Sequence, residues 1–222
     1  MAARYYPEIF HAADARSARD IILTNEGPGA DTETRWVRET PCVLELLRAR
    51  LSLGPDSLVL DYGCGIGRMA KAMIDATGCS VIGLDISPSM RALAIDYVAS
   101  DRFMAISPGQ FDRLVQAGLR VDAAIAIWVL QHCFAPADDI ARMRTGLTVG
   151  GRCFVLNMPK RAIPAVENQQ TGGGRFFWAS DGTDVAAMLR AAFVLDSEGI
   201  PDRSRVPNMA DVGAYWMHLR MP

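Results

Sequence analysis

Short apolar runs rich in Val, Ile and Leu alternate with amphipathic stretches along most of this chain. "SLVLDYG" (Ser57–Gly63) has the continuous apolar character of a buried strand, and "GRMAKAMIDAT" after it has helical spacing. "CSVIGLDI" (Cys79–Ile86) predicts a second strand, and "SPSMRALAIDYVAS" a second helix with Ser87 as cap and Pro88 in its first turn. "RFMAI" is a weaker third strand, followed by a helix over "PGQFDRLVQAG". "VDAAIAIWVL" is apolar on both faces, as a central parallel strand requires. "PADDIARMRTGLTVGG" predicts a helix closed by a glycine turn, and "RCFVLNM" a fifth strand.

This alternation implies an α/β fold, a doubly wound and mostly parallel sheet with helices on both faces. A polar, glycine-rich connection follows, "PKRAIPAVENQQTGGGRFFWASDG", long enough for a lid or substrate loop and carrying Gly172, Gly173 and Gly174 in succession. A short helix ("DVAAMLRAAF") and two late strands ("FVLDSEGI", "AYWMHLRM") finish the chain. The division is a single domain over 1–222: a helical cap over 1–54 containing "TRWVRETPCVLELLRARL", a core over 55–160, and a substrate loop with C-terminal strands over 161–222.

Composition narrows the class. A chain of 222 residues, half of them hydrophobic, is long enough to bury one sizeable core. A net charge of -2 makes no global case for nucleic acid or anionic membrane, although Arg142, Arg144, Arg152, Lys160 and Arg161 lie close in sequence. The five cysteines (Cys42, Cys64, Cys79, Cys133, Cys153) form no Cys-x-x-Cys pair, which points away from a disulfide scaffold or zinc site. His11, His132 and His218 are too dispersed for a metal cluster, so no metal is expected. The start, "MAARYYPEIFHAADAR", lacks the apolar core of a signal peptide. The run "AAIAIWVL" is far shorter than the ~20 residues that span a bilayer. A cytoplasmic location without membrane association is the resulting expectation.

The chemistry-bearing feature is the glycine cluster of "VLDYGCGIGRMAKAM", with Gly63, Gly65 and Gly67 at alternate positions after a strand. Ligands of open α/β sheets bind beyond the carboxyl ends of the strands, so this loop is placed for a nucleotide-like cofactor. A dinucleotide fingerprint needs a third glycine where Arg68 stands, and the phosphate-binding G-x-x-x-x-G-K-[ST] loop is absent. Asp85 ends the second strand eighteen residues after the glycine turn, where a carboxylate can accept both hydroxyls of an adenosine ribose.

In order and spacing, "VLDYGCGIG", "VIGLDISPSM", "VDAAIAIWVLQH" and "LTVGGRCFVLNM" resemble the four motifs of class I S-adenosylmethionine-dependent methyltransferases, over residues 57–160. The resemblance implies a Rossmann-like seven-stranded sheet with an antiparallel last strand. It implies S-adenosylmethionine as cofactor and S-adenosylhomocysteine as product. It assigns Gly63, Gly65 and Gly67 to the cofactor loop, and Asp61 to orienting that loop or the cofactor amine. Asp85 matches the ribose carboxylate, while Ile86 and Met90 match apolar residues beside the adenine. Many members carry an Asp after the third strand that meets the adenine amino group. Here "FMAISPGQFD" leaves Ser107, Gln110 or the backbone near Ile106 to replace it. Ile127 matches the strand-end position beside the methionine portion, and Tyr5, Tyr6, Arg35 and Trp36 are placed in the cap to close the cofactor pocket.

For the acceptor, His132 in "WVLQHC" is the candidate general base and substrate contact; a histidine that merely holds a loop by hydrogen bonds is the alternative. Trp128 and Asn157 are candidate pocket walls, as is "RFFWAS" (Arg175–Ser180). The strand-four motif lacks the Asn-Pro-Pro-Tyr signature of base-directed amino methyltransferases, so the expected acceptor is an oxygen or nitrogen of a small molecule, with no nucleic-acid partner. The alternatives are an RNA or protein methyltransferase, a non-catalytic cofactor-binding protein, and a nicotinamide-dependent oxidoreductase that the residue at Arg68 disfavours.

Overall fold

The computed structural model describes residues 3–167 and 175–222. The cap contains β1 (Ala3–Tyr5), a single 3-10 turn (Pro7–Phe10), α1 (Ala15–Ile22) and α2 (Thr32–Leu51). The core runs β2 (Leu58–Tyr62), α3 (Arg68–Thr77), β3 (Ser80–Leu84), α4 (Pro88–Val98), β4 (Phe103–Ile106), α5 (Pro108–Gln116), β5 (Val121–Ile127), α6 (Pro136–Gly146) and β6 (Leu147–Asn157). After it come β7 (Ile163–Glu167), β8 (Phe176–Ala179), α7 (Val185–Ala192), β9 (Val194–Gly199), α8 (Pro207–Asp211) and β10 (Tyr215–Arg220).

Seven strands pair in the order β4-β3-β2-β5-β6-β10-β9. The first five are mutually parallel, while β10 runs antiparallel to both β6 and β9. Alternation along the strands sends side chains to two helical layers. Val59, Ile125 and Ile127 bury against Val43, Leu47, Met69 and Met73 of α2 and α3. Leu60, Ala124 and Val155 bury on the opposite face with Phe111, Met143 and Leu189 of α5, α6 and α7. Ser87 caps α4 through its hydroxyl, which accepts from the Met90 N–H at 3.4 Å, with Pro88 just inside the helix.

Two features depart from the sequence expectations. The connection after β6 is not all loop: β7 and β8 pair antiparallel, and β1 adds to the other edge of β7, giving a second, three-stranded sheet. The cap is therefore not purely helical. Each of these strands is at most five residues long, and pairings such as Tyr5 with Ala165 join segments about the whole core apart, which local patterning does not encode. The Gly172–Gly174 run lies outside the described residues. The second departure is β6, which begins at Leu147 rather than Arg152, so the glycine turn belongs to the strand and Gly150 takes φ 73° within it.

Candidate active site

The loop between β2 and α3 begins at the carboxyl edge of the sheet. Gly63, Gly65 and Gly67 adopt φ of 71°, 54° and 82°, a region costly for any residue with a Cβ. Close approach adds a second requirement, and the neighbours are the protein's own side chains. A Cβ on Gly63 would lie 2.3 Å from a methyl of Val129, just past β5, and one on Gly65 would lie 2.6 Å from Ile22 Cδ1, at the end of α1. The loop is tied to β3 by Gly63 and Cys64 N–H groups donating to the Leu84 carbonyl at 2.7 and 3.0 Å. Asp85 completes the tie: Oδ2 accepts from Gly65 N–H at 2.9 Å and Oδ1 from Ser87 N–H at 2.8 Å. Burial pushes the Asp85 carboxyl above its usual range, and those two N–H groups oppose the shift.

Beneath the loop lies a buried charge cluster. Asp61 is 2% exposed, and its Oδ2 has no hydrogen-bond partner among the described residues. Burial pushes its carboxyl up to about 7, against the pull of the Arg68 guanidinium. Arg68 itself is buried, donates to Thr40 Oγ1 at 3.3 Å, and lies with its guanidinium 5.6 Å from the Trp36 ring centre. Arg35, by contrast, is committed inside the cap: it bonds Glu39 and Glu26 at 2.7 Å each and the Thr24 carbonyl at 2.8 Å. Ile86 is 48% exposed at the edge of this region, whereas Met90 is buried with Ala12, Leu23, Trp36 and Ile66. Ser107 and Gln110 form a reciprocal capping box on α5, with the Ser107 N–H donating to Gln110 Oε1 at 2.8 Å. Ile127 closes β5 within the α2–α3 side of the core.

Past β5 the chain turns sharply. Trp128 takes φ 61°, an outlier for a bulky residue, and packs against both the main core and the cap cluster around Ile66. Its indole Nε1 is buried without a partner among the described residues. A turn closed by His132 N–H to the Val129 carbonyl at 2.9 Å then presents the imidazole. His132 Nδ1 lies 2.6 Å from the Ala162 carbonyl, and its ring sits 5.8 Å from Phe10 and 5.2 Å from Trp178. Burial lowers the imidazole pKa, which the Ala162 bond partly offsets. Trp178 meets Phe176 edge-on at 5.1 Å, and Phe176 lies 6.3 Å from Tyr6. Tyr5 meets Phe134 at 5.3 Å. The two tyrosines thus stand on the His132 side, over the second sheet, and not beside Arg35.

Asn157 is fully buried; its Oδ1 accepts from the Gln131 N–H at 3.1 Å and its Nδ2 donates to the Met158 carbonyl at 3.2 Å. It braces the turn from below. Arg161 clamps the same turn, donating to the Cys133 carbonyl and pairing with Asp181 at 2.8 Å. Gln131, Phe10, Arg68 and Arg161 are the site neighbours that sequence reasoning did not assign. Only Gln131, beside His132 in "WVLQHC", carried a local signal. No group of metal-ligating side chains and no helix long and apolar enough to cross a membrane occurs among the described residues.

Residues 60–155 match a family model described as a methyltransferase domain. A tRNA U34 carboxymethyltransferase of Alcanivorax borkumensis is 27% identical over 137 residues, covering 59% of this chain and 42% of that one. One of the same name from Methylococcus capsulatus is 32% identical over 95 residues, covering 42% and 29% respectively. The chain thus spans less than half the length of the curated relatives it matches. Among solved structures, a geranyl diphosphate methyltransferase in complex with S-adenosylmethionine aligns with TM-score 0.61 at 16% identity, over 90% of this chain and 94% of that one. Magnesium protoporphyrin IX methyltransferase from Synechocystis with bound S-adenosylhomocysteine aligns with TM-score 0.60 at 16% identity, over 97% of each chain. The cyclase SpnF aligns equally well, with TM-score 0.61 at 17% identity over 93% of this chain and 94% of that one. At these identities the likeness establishes the fold, and the fold alone does not choose a reaction.

Proposed function

We propose that this chain, whose residues 60–155 match a methyltransferase-domain model, is a class I S-adenosylmethionine-dependent methyltransferase that methylates an oxygen or nitrogen of a small, largely apolar acceptor held against His132. The observation that carries the acceptor side is the enclosure of that imidazole by Phe10 and Trp178, rings from two segments far apart in sequence. A nucleophile bound there meets an apolar wall and one basic nitrogen.

The residues present fit the cofactor. Asp61 offers a buried carboxylate oxygen without a partner among the described residues, suited to the cofactor's ammonium group. Asp85 has each oxygen engaged by one backbone N–H, which leaves lone pairs for two ribose hydroxyls. Exposed Ile86 offers an apolar face to an adenine, and the Ser107–Gln110 box borders that side. Gly63, Gly65 and Gly67 let the backbone curve around the bound molecule, and Ile127 and Met90 back it from the core. Trp128 has an indole N–H, unpartnered among the described residues, to offer a bound molecule from the turn between the two halves. Asn157 acts on the acceptor through the turn it braces. When bound, the cofactor supplies an electrophilic methyl group on a sulfonium. The chain's task is then alignment, which can supply about 7–11 kcal/mol of a barrier, and removal of one proton. His132 performs the second task. Its Nδ1–H is fixed on the Ala162 carbonyl, so in the neutral ring Nε2 is the basic atom that takes the acceptor's proton.

A second proposal is a nucleic-acid acceptor, favoured by the curated relatives, whose names assign them to tRNA U34. One experiment separates the two. Pure protein, methyl-labelled cofactor and a host extract split by ultrafiltration and nuclease treatment should place the label in the low-mass, nuclease-resistant fraction. Label in nuclease-sensitive material would replace the small-molecule reading. No labelled product in any fraction would leave a cofactor-binding protein without turnover.

A further inference from the structure

Both nitrogens of the His132 ring are held. The Ala162 carbonyl can only accept, so the proton sits on Nδ1. At the other nitrogen, 3.2 Å away, is the side-chain nitrogen of Gln131, which in the neutral ring donates to the Nε2 lone pair. Gln131 is 2% exposed and its backbone is pinned to Asn157, so the side chain has little freedom beyond its terminal torsions. Its amide oxygen, Oε1, is buried and has no partner among the described residues. A buried carbonyl left unpaired is costly and rare enough to call for an explanation.

The explanation lies in the other protonation state of the ring. An imidazolium carries N–H on both nitrogens. Nδ1–H keeps the Ala162 carbonyl, while Nε2–H needs an acceptor where the neutral ring needed a donor. A half-turn of the Gln131 amide exchanges its nitrogen for its oxygen at that position. We propose that Gln131 is a positioning residue that partners both states of His132: it donates to the resting ring, yields the lone pair to the acceptor's O–H or N–H, and receives Nε2–H after proton transfer. The proton leaves the acceptor, resides on Nε2 and departs to solvent. Ring orientation is kept throughout, because Nδ1 never changes partner. This inference rests on His132 as the base.

The charged and titratable groups on neighbouring elements do not substitute for Gln131. Arg161 is paired with Asp181. Asp139 of α6 is engaged by Tyr62 and Arg142. Burial keeps the Cys133 thiol neutral, and the Tyr5 phenol, pushed up to about 12, is neutral as well.

The test is an NMR titration of the His132 ring in the resting protein, assigned by its loss in His132→Ala, compared between wild type, Gln131→Glu and Gln131→Leu. A carboxylate at position 131 accepts only and is charged, so Gln131→Glu should raise the imidazole midpoint by about one to three units. Gln131→Leu removes both partners. Because the bond from the cation is the stronger of the two, the midpoint should fall, and kcat should drop about tenfold with the cofactor KM unchanged. The isosteric Glu variant carries the test if the Leu variant does not fold. Equal midpoints in all folded forms would overturn the coupling even if His132→Ala abolishes turnover. Shifted midpoints with full turnover in His132→Ala would instead overturn the base reading and with it any catalytic role for Gln131.

Discussion

The two halves of the sheet's carboxyl edge are built in opposite ways. The half around Gly63–Gly67 and Asp85 is assembled from consecutive segments, β2, its turn and the end of β3, tied by four backbone N–H groups within twenty-five residues of sequence. The half around His132 draws on residues 3–10, 128–134, 157–167 and 176–181, joined by a sheet whose strands come from both ends of that span. The first half is rigid by torsion and close approach. The second depends on long-range closure, which costs more chain entropy and is easier to open. On the proposed function, a scaffold that builds the cofactor side locally and the acceptor side from distant segments can change substrate without rebuilding its cofactor loop.

The largest effect is expected at the torsion-locked half. Gly65→Val places a branched side chain at φ 54° and against Ile22, and should abolish cofactor binding in calorimetry and lower the melting temperature. Gly118→Ala is the control, with φ 100° and no neighbour within 4 Å among the described residues. It should cost about 1–2 kcal/mol of stability by torsion alone and leave binding intact. Normal binding by a folded Gly65→Val would erase the contrast between the halves.

On the acceptor side, His132→Ala should lower kcat by about 100-fold while cofactor affinity holds. The wild-type rate should fall as pH drops through the imidazole pKa, which burial places below the ordinary ~6.5, and that acidic limb should vanish in the variant. Unchanged turnover with chemistry rate-limiting would reduce the ring to a brace.

A smaller, two-signed effect is expected at Asp61. Its carboxyl titrates at about 7 in the folded chain against an ordinary 3.8, so its ionisation subtracts stability as pH rises from about 4 to 7. Asp61→Asn should therefore melt higher than wild type at pH 8 without cofactor, yet bind the cofactor about tenfold more weakly. A variant that melts lower and binds equally would remove Asp61 from the cofactor site.

These halves also differ in how far the sequence revealed them. The alternation of core strands and helices, the Ser87 cap and the glycine turn follow from apolar runs, proline placement and glycine spacing, which are local signals. What Gly65 is short of room for was not legible, because Ile22 approaches from 43 residues upstream. Arg35 matched the sequence idea of a cap arginine, yet Glu26 and Glu39 consume it, and buried Arg68 stands beside Asp61 instead. His132 was visible as a polar residue after a strand. Gln131 is its neighbour in sequence, but its Ala162 partner and the strands that cover it arise from pairings that no window of sequence contains.

The most direct measurement is a calorimetric titration of S-adenosylmethionine into the wild-type protein and into Asp85→Asn. The Asn amide retains one oxygen to accept and turns a donor toward the second backbone N–H, so the substitution weakens both the loop tie and the ribose contacts. The expected result is one site per chain for wild type, competed by S-adenosylhomocysteine and not by a nicotinamide dinucleotide, with affinity reduced about tenfold or more in the folded variant. The absence of any heat with S-adenosylmethionine, or equal affinity in both proteins, would contradict the assignment of this edge as the cofactor site.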